Sequence, residues 1–566
     1  MEHALSELIQ QSLEIFGISN ATVTLERPAD QKNGDYSTNV AMVYAKKLNF
    51  EGGTRALAER IVEYLKSNLQ NEERSNLGIS DIQIAGVGFI NFYVARTVFT
   101  EVLALAVTPQ WGRSLLYKDK KILIEHSSPN LFKPFHIGHL MNNTIGESIV
   151  RLAQDSSATV TTVSFPSDIS LGVAKAIFIL LEKYSDNPKR ELSVGELGDA
   201  YVAGVKRYEE DERVHQRVKE IADHLYAGVD SLELKLFTMC KTINMEYFVE
   251  ITTALGSHFD AYIYESDAGI VGKEIVEKNT PRVFTKSEGA VVYTPEESKK
   301  LHTSVFLNSQ GNPTYEAKDI GLLKIKFDTY NPDFSLFITD AQQVTHFAVV
   351  LDAAEHVEKK WSEKSLHRYH GRMSFQGKKM SSRLGGVPLV EEVVGAVVEE
   401  VIEKNPDIDR ETAQVIGLGA IKYVILKSQA GKNINFDPDT SLSFEGDSGP
   451  YLQYTVVRAR SLLAKGVSIG IVPTQIPVAV FGADVLEKKI ARFPEIVLKS
   501  QNEWAPHYLV TYLTELAQNF NTWYAQGKIL DDDHEASSAR LLVVDAMRNT
   551  LSRGLWMLGI DVPQKM

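Results

Sequence analysis

Hydrophobic residues near the N-terminus follow two different periods. Residues 5–16 place apolar side chains at helical spacing, and residues 56–69 form a second helical pattern. Residues 82–85 and 89–94 instead alternate apolar and polar positions, as half-buried strands do, with Gly86 and Gly88 between them. The pattern therefore predicts a small α+β domain over residues 1–117.

The middle of the chain carries short apolar runs that are typical of buried parallel strands. These runs lie at 122–124, 159–165, 304–307 and 336–339, and helical patterns follow them. Residues 180–300 are mostly helical and charged, and they interrupt this alternation. Residues 118–390 are therefore predicted to form an α/β domain with a doubly wound parallel sheet.

The last third of the chain, residues 391–566, is predicted to be all-helical. Apolar residues recur there at spacings of three and four, which indicates core-facing helix stripes and not cofactor boxes. The stripes comprise Leu452, Val456, Ala459 and Leu463; Leu513, Leu516, Phe520 and Trp523; and Val544, Met547, Leu551, Leu555 and Leu558.

Candidate chemistry begins directly after the first apolar run. His136, Gly138 and His139 open a helical segment after a break rich in serine and proline, so they lie at a strand-to-helix turn. Free backbone N–H groups at such a turn favour an anion, and Gly138 lets a ring or a phosphate approach the backbone. By itself, the pattern is equally consistent with two surface histidines at a helix start.

Later stretches add further candidate ligand-binding residues. Residues 377–386 combine small and basic residues with paired glycines, which indicates a mobile cationic loop, or simply a solvated one. Residues 340–347 are polar and follow a predicted strand, where doubly wound folds bind ligands. Tyr315 and Asp319 are four residues apart and share one face of a predicted helix.

These stretches resemble a known family. HIGH and KMSKS are the signatures of class I aminoacyl-tRNA synthetases, and SSPNLFKPFHIGHL and KMSSR are similar to the arginyl-tRNA synthetase versions of them. NGDYSTNVAM with GVGFINFYV, and FEGDSGPYLQYTVVRARSLL, resemble the N-terminal and anticodon-binding domains of the bacterial enzymes. The resemblance covers nearly the whole chain. It implies a Rossmann-like catalytic domain at 118–390 with an insertion at about 180–300, an N-terminal D-loop-contacting domain at 1–117, and an anticodon-binding bundle at 391–566.

The resemblance implies an arginine–tRNA ligase that uses arginine, ATP with Mg²⁺ and arginine tRNA. It departs from the family where Ser382 replaces the second lysine of the loop, so Lys133 or Arg383 is expected to supply that charge. The expected catalytic residues are His136, His139, Lys133, Lys379 and Arg383. The expected ATP-binding residues are Pro134, His136, Gly138, His139, His346, Lys379, Met380, Ser381 and Ser382.

Arginine recognition needs acidic or amide partners for a guanidinium. By motif position, the resemblance assigns arginine contacts to Glu125, Asn130, Tyr315, Asp319 and Gln343. Asp319 is the expected guanidinium partner, and Glu125 could equally form only a structural hydrogen bond. For the tRNA, an exposed aromatic ring and an amide suit a splayed base, which makes Tyr93 and Asn91 the candidates.

Composition limits the alternatives. A chain of 566 residues with 44% hydrophobic and 23% charged residues is expected to be a soluble, multidomain protein. Cys240 is the single cysteine, which argues against disulfides and a structural zinc site and favours the cytoplasm. The net charge is −13, the first residues are not a targeting peptide, and no apolar run is long enough for a membrane. A monomer without resident metal is expected.

Three rival functions share parts of this pattern. Another class I synthetase, such as a cysteine enzyme, would need a cysteine-rich metal site. A nucleotidylyltransferase has no need for the long helical C-terminus. A noncatalytic tRNA-binding paralogue would not need the intact side chains of His136, His139, Asp319 and Lys379.

Overall fold

The computed structural model describes residues 2–28, 30–69, 77–184, 192–375, 388–474 and 483–566. The loop at 377–386, with Lys379, Met380, Ser381, Ser382 and Arg383, lies outside these residues, as do residues 475–482. The strands, β1 to β13 in chain order, are Tyr36–Thr38, Ile79–Ala85, Phe89–Val94, Lys121–Glu125, Thr159–Ser164, Ala261–Tyr262, Thr285–Ser287, Ala290–Tyr293, Ser304–Leu307, Phe334–Asp340, Ser365–His370, Met373–Phe375 and Ile434–Phe436.

Helices supply most of the remaining regular structure. Short 3₁₀ turns lie at Gln31–Asn33, Glu297–Lys299 and Ala341–Gln343. The helices, α1 to α21, are Glu2–Glu14, Val40–Leu48, Gly53–Leu69, Arg96–Ala106, Ile137–Asp155, Leu171–Tyr184, Val194–Glu210, Glu212–Ala227, Leu232–Ala254, Glu265–Lys278, Tyr315–Tyr330, Val344–Val357, Lys359–Glu363, Val390–Lys404, Arg410–Lys427, Pro438–Ser441, Gly449–Ser468, Asp484–Ala491, Phe493–Glu503, His507–Ala525 and His534–Met557.

The chain forms two compact units. The first combines Met1–Thr108 with Gly466–Ala491 and Lys528–Ala546, and the second contains Pro109–Lys465, Arg492–Gly527 and Met547–Met566. The predicted division into domains 1–117, 118–390 and 391–566 stays a prediction. In the described part of the chain, no helix has the length and apolar character needed to cross a membrane.

The first unit is built on a three-stranded antiparallel sheet in the order β1-β3-β2. Helices α1 to α3 pack their apolar stripes on it, with Leu5, Ile9 and Ile61 fully buried. This confirms the predicted α+β fold and both predicted strands. Arg96 pairs with Asp484 at 2.5 Å, so a later segment of the chain joins this unit through α4 and α18.

The second unit contains a five-stranded parallel sheet in the order β11-β10-β4-β5-β6. The apolar run that predicted the first strand forms β4, and Ile122, Leu123 and Ile124 are buried because helices cover both sheet faces. Successive strands run outwards from β4 to β5 and β6, and then from β10 to β11. The crevice between the carboxyl ends of β4 and β10 is therefore a topological switch point.

Two sequence predictions were wrong in detail. Residues 304–307 form a strand, but it belongs to a separate antiparallel sheet in the order β7-β8-β9 and not to the parallel sheet. The C-terminal third is not all-helical either, because β13 pairs in parallel with β12. Four-residue apolar runs do not encode which sheet receives them, since partner choice depends on distant packing.

Candidate active site

A turn of two histidines begins helix α5 at the carboxyl edge of the parallel sheet. His136 is the N-cap residue, and its Nδ1 accepts the N–H of Gly138 at 3.1 Å. The Nδ1 of His139 accepts the N–H of His136, also at 3.1 Å. Because each Nδ1 accepts a hydrogen bond, each neutral ring carries its proton on Nε2. The turn therefore presents two N–H donors.

Both imidazoles are held neutral. Burial, followed by the charge of Lys133, lowers the pKa of His136. Burial, followed by His136, Lys133 and His370, lowers the pKa of His139 to about 3. The two rings stack with centroids 3.9 Å apart, and Phe135 stacks on His139 at 4.7 Å. Such stacking suits uncharged rings, since two charged rings would repel each other.

A carboxylate and a histidine form the second part of the site. Asp319 on α11 is buried, and its Oδ2 lies 2.5 Å from Nε2 of His346 on α12. Glu316 lies one turn earlier on α11, with its Oε1 3.7 Å from Nδ1 of His346. Burial opposes the charged imidazole, but the hydrogen bonds to Asp319 and Glu316 prevail and raise the pKa of His346 to about 10. His346 is therefore an imidazolium at neutral pH.

Glu125 is the last residue of strand β4. Its buried carboxylate is partnered, as expected for such a group, and the partner is the ammonium of Lys326 on α11. Glu125, Asp319 and Lys326 line one small cavity with apolar side chains that include Phe337 and Phe347. The switch-point crevice thus contains two carboxylates, each already facing a cation.

The other predicted arginine contacts are Asn130, Tyr315 and Gln343, and all three are exposed. Asn130 is exposed on the loop after β4, where its backbone bridges Ser167. Tyr315 is 57% exposed at the first position of α11, and Gln343 is exposed just before α12. All three are therefore open to a ligand, unlike Glu125.

Lys133 is exposed beside the histidine turn. Its Nζ lies 4.9 Å from the ring centroid of Tyr201, and its charge lowers the pKa of both turn histidines. Pro134 is half-buried next to it. Lys133 therefore brings a positive charge next to the histidine turn, and its role as the compensating cation stays a prediction.

The predicted cationic loop lies outside the described residues, but the segment that follows it contacts the histidine turn. Ile137 donates its N–H to Pro388 O at 3.2 Å, and Val390 donates to Phe135 O at 2.9 Å. His136 and Leu389 form a β-bridge. The start of helix Val390–Lys404 is therefore tied to the histidine turn by backbone hydrogen bonds.

Sequence reasoning missed several charged residues around the site. Lys326 partners Glu125, His370 ends β11 close to His139, and Lys318 pairs with Glu265 at 2.7 Å with both side chains buried. The sequence feature that could have predicted these buried ion pairs is a charged residue within an apolar helical stretch. Lys318 and Lys326 occur among buried apolar positions of α11, where a charge requires a partner.

The tRNA-contact candidates lie on β3 of the first unit. Asn91 is only 4% exposed, and its Oδ1 accepts a hydrogen bond from Ser37 Oγ at 2.7 Å. This corrects the expectation of an accessible amide, because the side chain is committed to the sheet. Tyr93 is half-buried, and its hydroxyl donates to Lys32 O at 2.8 Å. Its tRNA contact stays a prediction.

Comparison with known proteins identifies the class and the family. The sequence model for "tRNA synthetases class I (R), catalytic domain" matches residues 102–437, which is more than half of the chain. The "DALR anticodon binding domain" matches 452–566, and the "Arginyl tRNA synthetase N terminal domain" matches 3–94. The fold and the histidine turn are thus those of a class I aminoacyl-tRNA synthetase. The chain belongs to the arginyl-tRNA synthetase family.

Full-length relatives agree with this assignment. The chain is 29% identical to an arginine–tRNA ligase of Alkaliphilus metalliredigens and 27% identical to one of Halothermothrix orenii, each over 99% of both chains. The solved structure of the Thermus thermophilus arginyl-tRNA synthetase is similar over 100% of both chains, with a TM-score of 0.78 and 26% identity.

Proposed function

We propose that this chain performs its family's reaction, the ATP-dependent ligation of arginine to the 3′ end of arginine tRNA. The arginine carboxylate attacks the α-phosphate of ATP, and pyrophosphate leaves. The 3′-terminal hydroxyl of the tRNA then attacks the carbonyl of arginyl-adenylate and releases AMP. The observation that supports this most is that the histidine turn presents two neutral Nε2–H donors while Asp319 presents a carboxylate already paired with a cation.

The nucleotide is assigned to the histidine turn. His136 and His139 would each donate Nε2–H to an ATP oxygen, while Gly138 gives the nucleotide access to the backbone. Lys133, and Lys379 or Arg383 of the loop, would neutralise the departing pyrophosphate. Mg²⁺ would enter with the nucleotide, because it prefers substrate phosphates over dedicated protein cages. Pro134, Met380, Ser381 and Ser382 complete the proposed ATP contacts.

Arginine is assigned to the crevice between β4 and β10. Asp319 would accept the guanidinium, with the exposed Tyr315 covering it from the same helical face. Asn130 and Gln343 would hold the α-amino and carboxylate groups. Glu125 is paired with Lys326, which favours a role in shaping the crevice. Because His346 contacts Asp319, we assign His346 to the proposed arginine pocket instead of the ATP contacts expected from the sequence.

The remaining assignments follow the family. Residues 1–117, through Tyr93, would contact the D-loop, residues 118–390 would catalyse, and residues 391–566 would bind the anticodon. We also propose that the protein acts as a cytoplasmic monomer.

A charging assay tests the proposed function. The purified protein is incubated with ATP, total tRNA and each of the 20 amino acids separately. Of the 20 amino acids, only arginine should become attached to tRNA. Attachment of a different amino acid would identify another class I synthetase, and tRNA binding with no attachment of any amino acid would identify a noncatalytic paralogue.

A further inference from the structure

The carboxylate assigned to the arginine guanidinium already carries a positive group. His346 Nε2 lies 2.5 Å from Asp319 Oδ2, and this is the only ion pair of Asp319 within the described residues. The neighbouring cation in the same cavity, Lys326, pairs with Glu125 instead. A guanidinium can therefore reach Asp319 only by displacing, or sharing with, the imidazolium.

Charged groups from several elements face this imidazole. Asp319 and Glu316 approach it from α11, and both favour its protonated form. His367 approaches from β11, where burial and the charge of His346 lower the pKa of His367 to about 4. His367 is thus neutral at physiological pH, and His346 carries the single imidazolium charge of this cluster.

We propose that His346 is the resident counter-ion of the arginine pocket and a specificity-determining residue, which the substrate guanidinium displaces from Asp319. This inference rests on the proposed function. A ligand must supply a cation at least as well matched to the carboxylate as the imidazolium that it replaces. A guanidinium replaces the positive charge of the imidazolium and forms two parallel N–H···O bonds to the carboxylate. An ammonium supplies the charge without the planar pair of donors, and a neutral urea supplies the donors without the charge.

If arginine displaces His346 from Asp319, a measurable release of protons should accompany arginine binding. When the guanidinium takes Asp319, His346 loses the first of the two carboxylates that raise its pKa to about 10, and burial still opposes its charge. The pKa of His346 therefore falls toward its ordinary value near 6.5. Arginine binding between these two pKa values then releases a proton. By linkage, the arginine affinity increases with pH in this window, by up to about tenfold per pH unit.

The experiment compares the arginine KM in tRNA charging from pH 6.5 to 8.5 for the wild type, His346→Gln and His356→Gln. His356 lies on the same helix, but exposed at its far end, so it is the matched control. The wild type and His356→Gln should show a KM that falls severalfold per pH unit. In His346→Gln this slope should be absent and the KM at pH 7 lower, because Gln keeps a neutral hydrogen bond without the competing charge.

The outcomes distinguish a failure of the role proposed for His346 from a failure of the proposed function. A wild-type KM that is independent of pH, or an equal slope in His346→Gln, overturns the role of His346. No arginine charging by any of the three proteins at any pH overturns the proposed function instead. If circular dichroism shows that His346→Gln is unfolded, arginine binding to the wild type is measured by calorimetry with tRNA at pH 8. Comparing two buffers of different ionisation enthalpy then gives the number of protons released on binding. Release of about one proton per arginine supports the proposal, and none contradicts it.

Discussion

At the scale of single residues, the histidines of the site differ in charge. His136 and His139 are neutral because burial and neighbouring cations oppose protonation. His346 is charged because two carboxylates face it. Neutral donors suit ATP oxygens, which need N–H groups aimed at them, and a cation suits the carboxylate that must later receive a guanidinium.

The amide substitution Asp319→Asn should raise the KM for arginine far more than the KM for ATP. The substitution removes a charged acceptor from the guanidinium, which is worth about 1.5–3 kcal/mol, or roughly 10- to 100-fold in KM. Steady-state charging kinetics with each substrate varied in turn measure both values. Equal increases for arginine and ATP would remove Asp319 from the arginine pocket.

The buried neutral histidines should also make the free energy of unfolding depend on pH in the acid range. Burial lowers the pKa of His126 and of His139 to about 3, so the unfolded chain binds more protons than the folded chain between pH 6.5 and 3. Stability must therefore fall as pH decreases from 6.5 to 4.5. The imidazolium of His346 has the opposite sign, and its contribution is full below pH 6.5 and lost as pH rises toward 10.

The urea midpoint measured against pH tests this assignment. His126→Phe keeps an aromatic ring against Phe259, whose centroid is 4.8 Å away, but cannot be protonated. Its midpoint should depend less on pH between 6.5 and 4.5 than that of the wild type. Identical slopes in the two proteins would show that His126 does not contribute to the acid sensitivity.

At the scale of elements, the site depends on where strands end and helices begin. The periodicity of residues 121–151 correctly predicted a strand, a turn and a helix, because each has a local signal. The ion pairs of Lys326 with Glu125 and of Lys318 with Glu265 could not be predicted, since they join helices to residues more than 50 positions away. Likewise, the hydrogen bond that engages the Asn91 side chain comes from Ser37, which lies on another strand 54 positions away.

Lys133→Ala should slow adenylate formation by roughly tenfold or more while leaving arginine affinity nearly unchanged. Lys133 is an exposed cation beside the histidine turn, and electrostatic stabilisation of developing charge is a large catalytic term. Single-turnover kinetics measure the step. Unchanged rates in Lys133→Ala together with a collapse in Arg383→Ala would assign the compensating charge to Arg383.

Val390→Pro probes the link between the histidine turn and the helix that follows the loop. Proline removes the N–H that Val390 donates to Phe135 O, yet it is tolerated at the first position of a helix. We expect adenylate formation to fall roughly fivefold, corresponding to about one hydrogen bond of 1 kcal/mol. Val390→Ala loses similar burial but keeps the N–H, so an equal loss in both variants would mean that packing alone matters.

At the scale of the whole molecule, the last stretch of the chain, Met547–Met566, belongs to the same compact unit as the parallel sheet. Arg553 pairs with Asp155 of α5 at 2.5 Å, and the buried ammonium of Lys422 donates to Gly559 O at 2.6 Å. Removal of everything after about residue 440 would expose these groups. Whether amino-acid activation depends on tRNA is therefore best tested on the full chain, with tRNA added or withheld.

The most direct measurement is exchange of labelled pyrophosphate into ATP by the full-length protein, with each amino acid, with and without tRNA. We predict that amino-acid activation depends on bound tRNA, as the resemblance to arginyl-tRNA synthetases implies. The proposed route is the backbone link between Phe135–Ile137 and Pro388–Val390, which ties the histidine turn to the start of the helical C-terminal third. Exchange should appear only when arginine and tRNA are both present. Robust exchange without tRNA, after nuclease treatment, would show a preassembled pocket, and equal exchange with another amino acid would contradict an arginine site built on Asp319.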